Sequence, residues 1–238
     1  PVLAAIEAAP LAYTENDPAT AITGSLSVSD LDSTTLASAT VSITANYVNG
    51  EDVLAFANTA NISGVWNAAT GLLTLTGSDT LAAYQSALRS VTYQNTSDNP
   101  SSATRTISFA VDDGAGANSA SNVLTRDITV AAVNDAPLLA AIEAAPLAYT
   151  ENDPATAITA SLTVSDADSP SLASATVSIS ANYVNGEDVL AFANTANITG
   201  AWNAATGLLT LTGADTPAAY QAALRSVTYQ NTSDNPSA

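Results

Sequence analysis

Carboxylates are the side chains of this sequence best suited to chemistry. The 238-residue chain has 22 acidic and 4 basic residues, a formal net charge of −18, and no histidine, cysteine or methionine. All four basic residues are arginines. Nucleophilic triads, zinc sites and Schiff-base lysines each depend on residue types that are missing. No nucleic-acid partner is expected, because phosphate binding requires clustered Lys and Arg. A divalent cation is the natural partner of such a chain.

The sequence repeats itself. Residues 1–7 (PVLAAIE) return as residues 137–143 (PLLAAIE), an offset of 136, and 89 of the 102 aligned residues are identical. We therefore predict two domains, a complete repeat over 1–136 and a second repeat over 137–238 that lacks the counterpart of its last two strands. No apolar run is long enough to cross a bilayer, so membrane insertion is not expected.

Local patterns predict an all-β fold. Small apolar residues alternate with Ser or Thr over four segments, 20–29, 39–45, 104–111 and 123–133. A turn-like NAATG precedes GLLTLT at 71–76 and indicates an inserted hairpin. Leu81, Tyr84 and Leu88 have helical spacing behind Asp79, which predicts one short helix capped by that aspartate. These elements favour tandem immunoglobulin-like β-sandwiches.

Strand direction predicts where the acidic loops lie. In a seven-stranded antiparallel sandwich, the upper end of repeat one would carry Asp30, Asp32, Asp112 and Asp113 as a half-site. The lower end would carry Glu15, Asp17 and Asp98, followed by Asn134 and Asp135 of the linker. Stacking a second repeat would bring Asp166 and Asp168 against that lower set.

Such a concentration of carboxylates predicts a calcium site at the joint between repeats. Like charges within about 4–6 Å repel each other, and a hard cation with 6–8 oxygen ligands neutralises them. Calcium suits irregular acidic loops better than magnesium does. The alternative is that these loops are simply solvated, as many Asp-x-Asp turns are.

Several longer motifs resemble a known family. DAD at 166–168, VNDAP at 133–137, GEDVLAF at 50–56 and YQxALRSVTY at 84–93 are similar to the cadherin-like repeats of large RTX-type bacterial surface adhesins. The resemblance implies calcium binding between modules by Glu15, Asp98, Asn134, Asp135, Asp166 and Asp168, and an extracellular or cell-surface location. The sequence departs from the pattern of that family in two places. Asp98 lies in Ser-Asp-Asn and not in an acidic-arginine-glutamate motif, and repeat two has no counterpart of Asp112 and Asp113.

Other conspicuous residues have plainer interpretations. Trp66 and Trp202 are expected to anchor core packing, with sugar stacking as the alternative. Arg89 and Arg225 are expected to act structurally at the helix C-terminus. Glu51-Asp52 follows Asn-Gly and is interpreted as a turn with exposed charge, with a second calcium site as the alternative.

From these observations we predict that the chain is a structural spacer repeat of an extracellular bacterial adhesin or surface fibre, and that calcium at the joint between repeats makes it rigid. Its partners would be neighbouring repeats of the same protein and other subunits of a fibre or surface layer. One alternative is a carbohydrate- or protein-binding adhesive module, and another is a fibre subunit completed by strands from a neighbouring chain. Enzyme activity is not expected, because every acidic residue of repeat two has a twin in repeat one.

Overall fold

The computed structural model describes residues 1–236 and confirms an all-β fold of the sandwich type. Its contacts divide the chain into Pro1–Val133, called unit 1 below, and the residues from Asn134 onward, called unit 2. Residues 237 and 238 of the predicted second repeat lie outside the described part. Among the described residues, no helix has the length and apolar character needed to cross a membrane.

Unit 1 consists of short strands and one helix. In chain order these are β1 (Val2–Ala4), β2 (Leu11–Thr14), β3 (Thr20–Ala21), β4 (Ser27–Ser29), β5 (Thr35–Ala45), β6 (Asp52–Ala55), β7 (Ser63–Asn67), β8 (Leu72–Thr80), α1 (Leu81–Ser90), β9 (Thr92–Asn95), β10 (Arg105–Asp112) and β11 (Leu124–Ala131).

Two larger sheets of unit 1 enclose one core. The six-stranded sheet has the order β2-β11-β10-β5-β8-β7 and the three-stranded sheet the order β3-β9-β6, while β1 pairs with β4. Alternation along β5 and β10 places Val41 and Phe109 inside, and Leu54 and Tyr93 of the smaller sheet join the same cluster. The alternating pattern in the sequence therefore corresponds to one buried and one more exposed face along β5 and β10.

The prediction of one continuous strand over residues 20–29 was wrong. The structure has β3 and β4 in different sheets, with a break between them. At the break, the Glu7 carboxylate accepts hydrogen bonds from the backbone N–H groups of Gly24 (2.9 Å) and Ser25 (3.1 Å). Because a side chain takes these two donors, the ladder cannot continue through them.

The predicted hairpin and helix are present. Strands β7 and β8 pair across the turn at 67–71, and α1 buries Tyr84 and Leu88. The predicted cap, Asp79, was wrong by one residue, since Thr80 is the N-cap and its hydroxyl accepts from the Ala83 N–H at 3.2 Å. Asp79 instead belongs to the end of β8.

Unit 2 repeats most of these elements. They are β12 (Leu138–Ala140), β13 (Thr156–Ala157), β14 (Thr163–Ser165), β15 (Leu172–Ser178), β16 (Asp188–Ala191), β17 (Thr199–Asn203), β18 (Leu208–Asp215), α2 (Pro217–Arg225) and β19 (Thr228–Asn231). Their sheets have the orders β15-β18-β17, β13-β19-β16 and β12-β14.

The large sheet is where the units differ. In unit 1, β5 pairs with β8 on one side and with β10 on the other, whereas its counterpart β15 pairs only with β18 among the described residues. The counterpart of β2, residues 147–150, is not a strand. The reason is that β2 pairs with β11, and unit 2 as described has no equivalent of β11.

A glycine at the end of β8 provides a test of this backbone. Gly77 has φ +132°, and a Cβ atom there would lie 1.9 Å from the Asn61 carbonyl oxygen. We expect Gly77→Ala to lower the free energy of unfolding by at least about 2 kcal/mol, because backbone atoms must move. Gly50→Ala is the matched control, since Gly50 has φ +92° but open space around it. Its cost should be about 1 kcal/mol. Equal losses in urea denaturation would contradict this account.

Candidate metal centres

Three of the four predicted upper-end carboxylates of unit 1 come together. Asp30 and Asp32 follow β4, Asp113 follows β10, and one carboxylate oxygen from each lies within 4.8 Å of the others. Asp112 is directed elsewhere, because its two oxygens accept from the Gly114 N–H (2.7 Å) and the Ser119 hydroxyl (3.0 Å). The upper loops therefore form a three-carboxylate group.

Hydrogen bonds hold this group in place. Asp30 Oδ1 accepts from the backbone N–H groups of Asp32 and Ser33, both at 3.2 Å. The Ala115 N–H and the Ser33 hydroxyl lower the pKa of Asp113. The buried Asp30 Oδ2 lies 3.0 Å from the Pro1 ammonium nitrogen, which lowers the pKa of Asp30.

The lower-end residues of unit 1 differ in their surroundings. Glu15 is only 4 % exposed, and its Oε1 accepts from the Val133 N–H at 2.9 Å. Its Oε2 is buried and has no hydrogen-bond donor among the described residues. Asp17 Oδ2 accepts from the Thr14 N–H at 3.1 Å and closes its own turn, and Asp98 is exposed in the loop after β9. Of these three lower-end residues, Glu15 is the one with a carboxylate oxygen that is buried and receives no hydrogen bond from the described residues.

The acidic residues at the start of unit 2 form a second group. Both carboxylate oxygens of Asp168 accept from the Asp135 N–H at 3.2 Å, and Asn134 Oδ1 accepts from the Ser169 hydroxyl at 3.4 Å. Asp166 Oδ1 accepts from the Ser169 N–H at 2.8 Å, which lowers the pKa of Asp166. In the described residues, Oδ2 of both Asp135 and Asp166 is buried without a donor.

These oxygens suit a hard cation. A buried polar atom without a partner costs roughly 1–3 kcal/mol, and more when it is charged. Among the described residues, unit 1 has such an atom on Glu15, and unit 2 has such atoms on Asp135 and Asp166. Carboxylate and amide oxygens on irregular loops match the flexible coordination of calcium, whereas magnesium demands near-ideal octahedral geometry. Within each unit, these oxygens are of the kind that a hard cation such as calcium takes as ligands.

The interpretation of Asp52 as exposed charge was wrong. This residue is 1 % exposed and receives hydrogen bonds from the Tyr93 hydroxyl (2.6 Å), the Asn95 amide (3.0 Å) and the Val48 N–H (2.8 Å). The fully buried Arg105 donates its Nε–H to both carboxylate oxygens, at 3.1 and 3.2 Å. Burial and the hydrogen bond to this carboxylate raise the pKa of Tyr93. The available signal was Arg105 itself, one of only 4 basic residues and the first residue of an alternating strand.

The tryptophans and helix arginines have packing roles. Trp66 packs against the core and meets Tyr47 edge to face at 6.1 Å, and Trp202 meets Tyr183 in the same way at 6.0 Å. Arg89 donates to the carbonyl oxygens of Leu26 (2.7 Å) and Ser25 (3.1 Å) and so ties α1 to the segment entering β4.

Comparison with protein-family models and with curated proteins finds no match for this chain.

Two further carboxylates, Glu7 and its counterpart Glu143, should make the stability of the fold depend on pH. In Glu7, hydrogen bonds from the Thr23 hydroxyl and the Gly24 N–H outweigh the opposing effect of burial and lower the pKa from 4.5 to about 2. In Glu143, the Thr159 hydroxyl and the Ala160 N–H likewise lower the pKa to about 2. Their stabilisation is present above pH 4.5 and is lost as the pH falls towards 2.

We therefore expect Glu7→Gln to lower the melting temperature at pH 7 and to have little effect at pH 2. Thermal unfolding followed by circular dichroism across this range measures the difference between the two chains. A difference that is equal at pH 7 and pH 2 would contradict the assignment.

Proposed function

We propose that this chain is a calcium-binding spacer repeat of an extracellular bacterial adhesin or surface fibre, and that calcium stiffens the linker between its repeats. One observation carries the proposal. Carboxylate oxygens on Asp135 and Asp166, both in unit 2, are buried without hydrogen-bond donors among the described residues. A bound cation would supply the missing partner.

Charge supports a cation in this role. The chain has a net charge of −18, and the loops of unit 1 bring the carboxylates of Asp30, Asp32 and Asp113 together. Lowered pKa values keep Asp113 and Asp166 ionised at neutral pH, so protonation does not relieve the repulsion. Calcium binding relieves it and stabilises the folded state by about 2.7 kcal/mol at a hundredfold excess over Kd.

The hydrogen bonds of the linker support a mechanical consequence. Glu15 accepts the N–H of Val133, and Asp168 accepts the N–H of Asp135. Each unit thus uses a carboxylate of its own to hold the linker backbone, on either side of Asn134. An ion on them would restrict the φ and ψ angles of the linker, and its removal would leave repelling charges there.

The resemblance and the repeats support the cellular setting. Near-identical tandem units suit a spacer, and the motifs shared with cadherin-like repeats of surface adhesins favour a position outside the cell. Extracellular calcium modules bind with Kd on the order of 10⁻⁴–10⁻³ M. In that range, stiffness would depend on export from the cell.

Calorimetric titration of residues 1–238 with calcium is the direct test. We expect saturable binding that is weakened at least about tenfold in Asp166→Asn/Asp168→Asn, because the variant loses two charged ligands. The matched control is Asp79→Asn/Asp215→Asn, which removes the same charge at two half-buried positions where the carboxylates accept from the Asn61 and Asn197 amides. No binding at millimolar calcium, or equal loss in both double variants, would overturn the proposal.

Small-angle scattering tests the mechanical part separately. We expect the maximum dimension and the spread of conformations to change when a chelator removes calcium, because the linker is released. The Asp166→Asn/Asp168→Asn chain should show the chelated profile even with calcium present. If calcium binds but the scattering does not change, the calcium site stands and the proposal that calcium stiffens the linker is wrong.

A further inference from the structure

The first and last segments of unit 1 run side by side in the same direction. Strand β2 pairs in parallel with β11, from Leu11 opposite Ile128 to Thr14 opposite Ala131. In a parallel pair, the start of one strand and the end of the other lie at opposite ends of the pair. Tension on the two ends of unit 1 would therefore slide β2 along β11 and load their hydrogen bonds together, whereas an antiparallel pair would open one bond at a time.

A side chain continues this pairing beyond the start of β11. Asn122 Oδ1 accepts from the Leu3 N–H at 2.9 Å, and Asn122 Nδ2 donates to the Leu3 carbonyl oxygen at 2.9 Å. A carboxamide has one acceptor and an N–H donor, as a peptide group has, so it can take the place of a residue on a neighbouring strand. Asn122 thus joins β1 to the segment that enters β11.

An arginine covers the gap between β1 and β2. Residues 5–10 belong to no strand. Arg126, in β11, donates its Nε–H to the Ala9 carbonyl oxygen at 3.1 Å, and its Nη1 donates to the Ile22 carbonyl oxygen and lies 3.5 Å from Glu7 Oε2. A guanidinium has five N–H donors in a rigid arrangement, so it can hold several acceptors of an irregular segment at once.

The lower end of the pairing is held in the same way. The Glu15 N–H donates to the Ala131 carbonyl oxygen at 2.9 Å, and Glu15 Oε1 accepts from the Val133 N–H at 2.9 Å. Residues 3–15 and residues 122–133, called the seam below, are therefore joined by backbone or side-chain hydrogen bonds from one end to the other.

The seam also covers the core. Leu3 and Tyr13 are both 2 % exposed and belong to the buried cluster of unit 1, and Tyr13 meets Tyr93 edge to face at 5.2 Å. Strand β2 lies at the edge of its sheet, whereas β11 is held on its other side by β10. Residues 3–15 are thus the side of the seam that would leave first, and their departure would open the core to water.

From this arrangement we propose that the seam is the force-bearing element of unit 1, and that Asn122 and Arg126 join two short strands into one mechanical unit. β1 has three residues and β2 has four. A hydrogen bond contributes a net of only about 0.5–1.5 kcal/mol, so a short pair by itself resists little, whereas bonds that must break together add to one barrier.

The inference rests on the proposed spacer function for its biological use, because a spacer that holds an adhesive domain away from a cell carries tension. It does not rest on calcium, since neither Asn122 nor Arg126 is an acidic residue of the candidate metal centres. The mechanical role and the calcium site can therefore fail independently.

Force spectroscopy of the 1–238 chain is the test. One handle is attached to an N-terminal tag and the other to Ala136→Cys, which is a unique attachment point because the chain has no cysteine of its own. Unit 2 follows the second handle and is not loaded. The release of about 130 residues, each roughly 3.6 Å long when extended, identifies the unfolding of unit 1.

At one fixed force, we expect Asn122→Ala and Arg126→Gln each to unfold unit 1 at least about tenfold faster, because each variant removes two or more bonds from the seam. Asn122 is exposed, so its variant keeps the fold even if Arg126→Gln does not. Gly77→Ala is the control. It lowers the equilibrium stability from a position outside the seam, and its rate should change less than about threefold, because its surroundings are still folded when the seam breaks.

The ratio of the variant rate to the parent rate should be the same with calcium and with a chelator. Unchanged rates in both seam variants, an equal acceleration by Gly77→Ala, or a ratio that disappears with the chelator would each overturn the proposal. A chain that binds no calcium in the titration but keeps this ratio would retain the force-bearing seam and lose only the calcium site.

Discussion

An ion pair between two sheets organises unit 1. Asp52 comes from β6 of the three-stranded sheet and Arg105 from β10 of the six-stranded sheet, and both side chains are buried. Moving two charges out of water is expensive, and the cost is offset only when further hydrogen bonds satisfy the remaining donors and acceptors. Tyr93, Asn95 and the Val48 N–H supply them on the carboxylate side. The pair therefore sets how the two sheets face each other, and removing either partner would leave a buried charge.

The two units form a natural comparison of local and non-local structure. With 89 of 102 aligned residues identical, both units form the same hairpin, the same helix with a threonine N-cap, and the same glycine conformation at the end of the long strand. These features depend on near neighbours in sequence. The large sheet and the exposure of residues such as Leu139 differ, because they depend on partners far along the chain, as β5 depends on β10 and β2 on β11 in unit 1.

The acidic residues fall into two classes that composition alone does not separate. Asp52, Asp188, Glu7 and Glu143 receive hydrogen bonds from several groups and have structural roles. Among the described residues, Glu15, Asp135 and Asp166 each keep one buried oxygen without a hydrogen-bond donor. The difference is the local supply of N–H and O–H groups, which follows from how the loops fold.

By itself, the sequence determined the all-β class, the tandem repeat, the hairpin, the helix and the loop positions of the acidic residues, since these follow from residue periodicity and chain direction. Tertiary structure decided the rest. The break between β3 and β4 arises from the Glu7 side chain, and Asp112 turns away from Asp113 because the Ser119 hydroxyl takes one of its oxygens. The burial of Asp52 was not foreseen because Asn-Gly-Glu-Asp has the local signature of an exposed turn, and its compensating arginine lies 53 residues further along the chain. The local sequence shows which charged groups are present, but Asp52 and Arg105 come into contact only when the two sheets pack together.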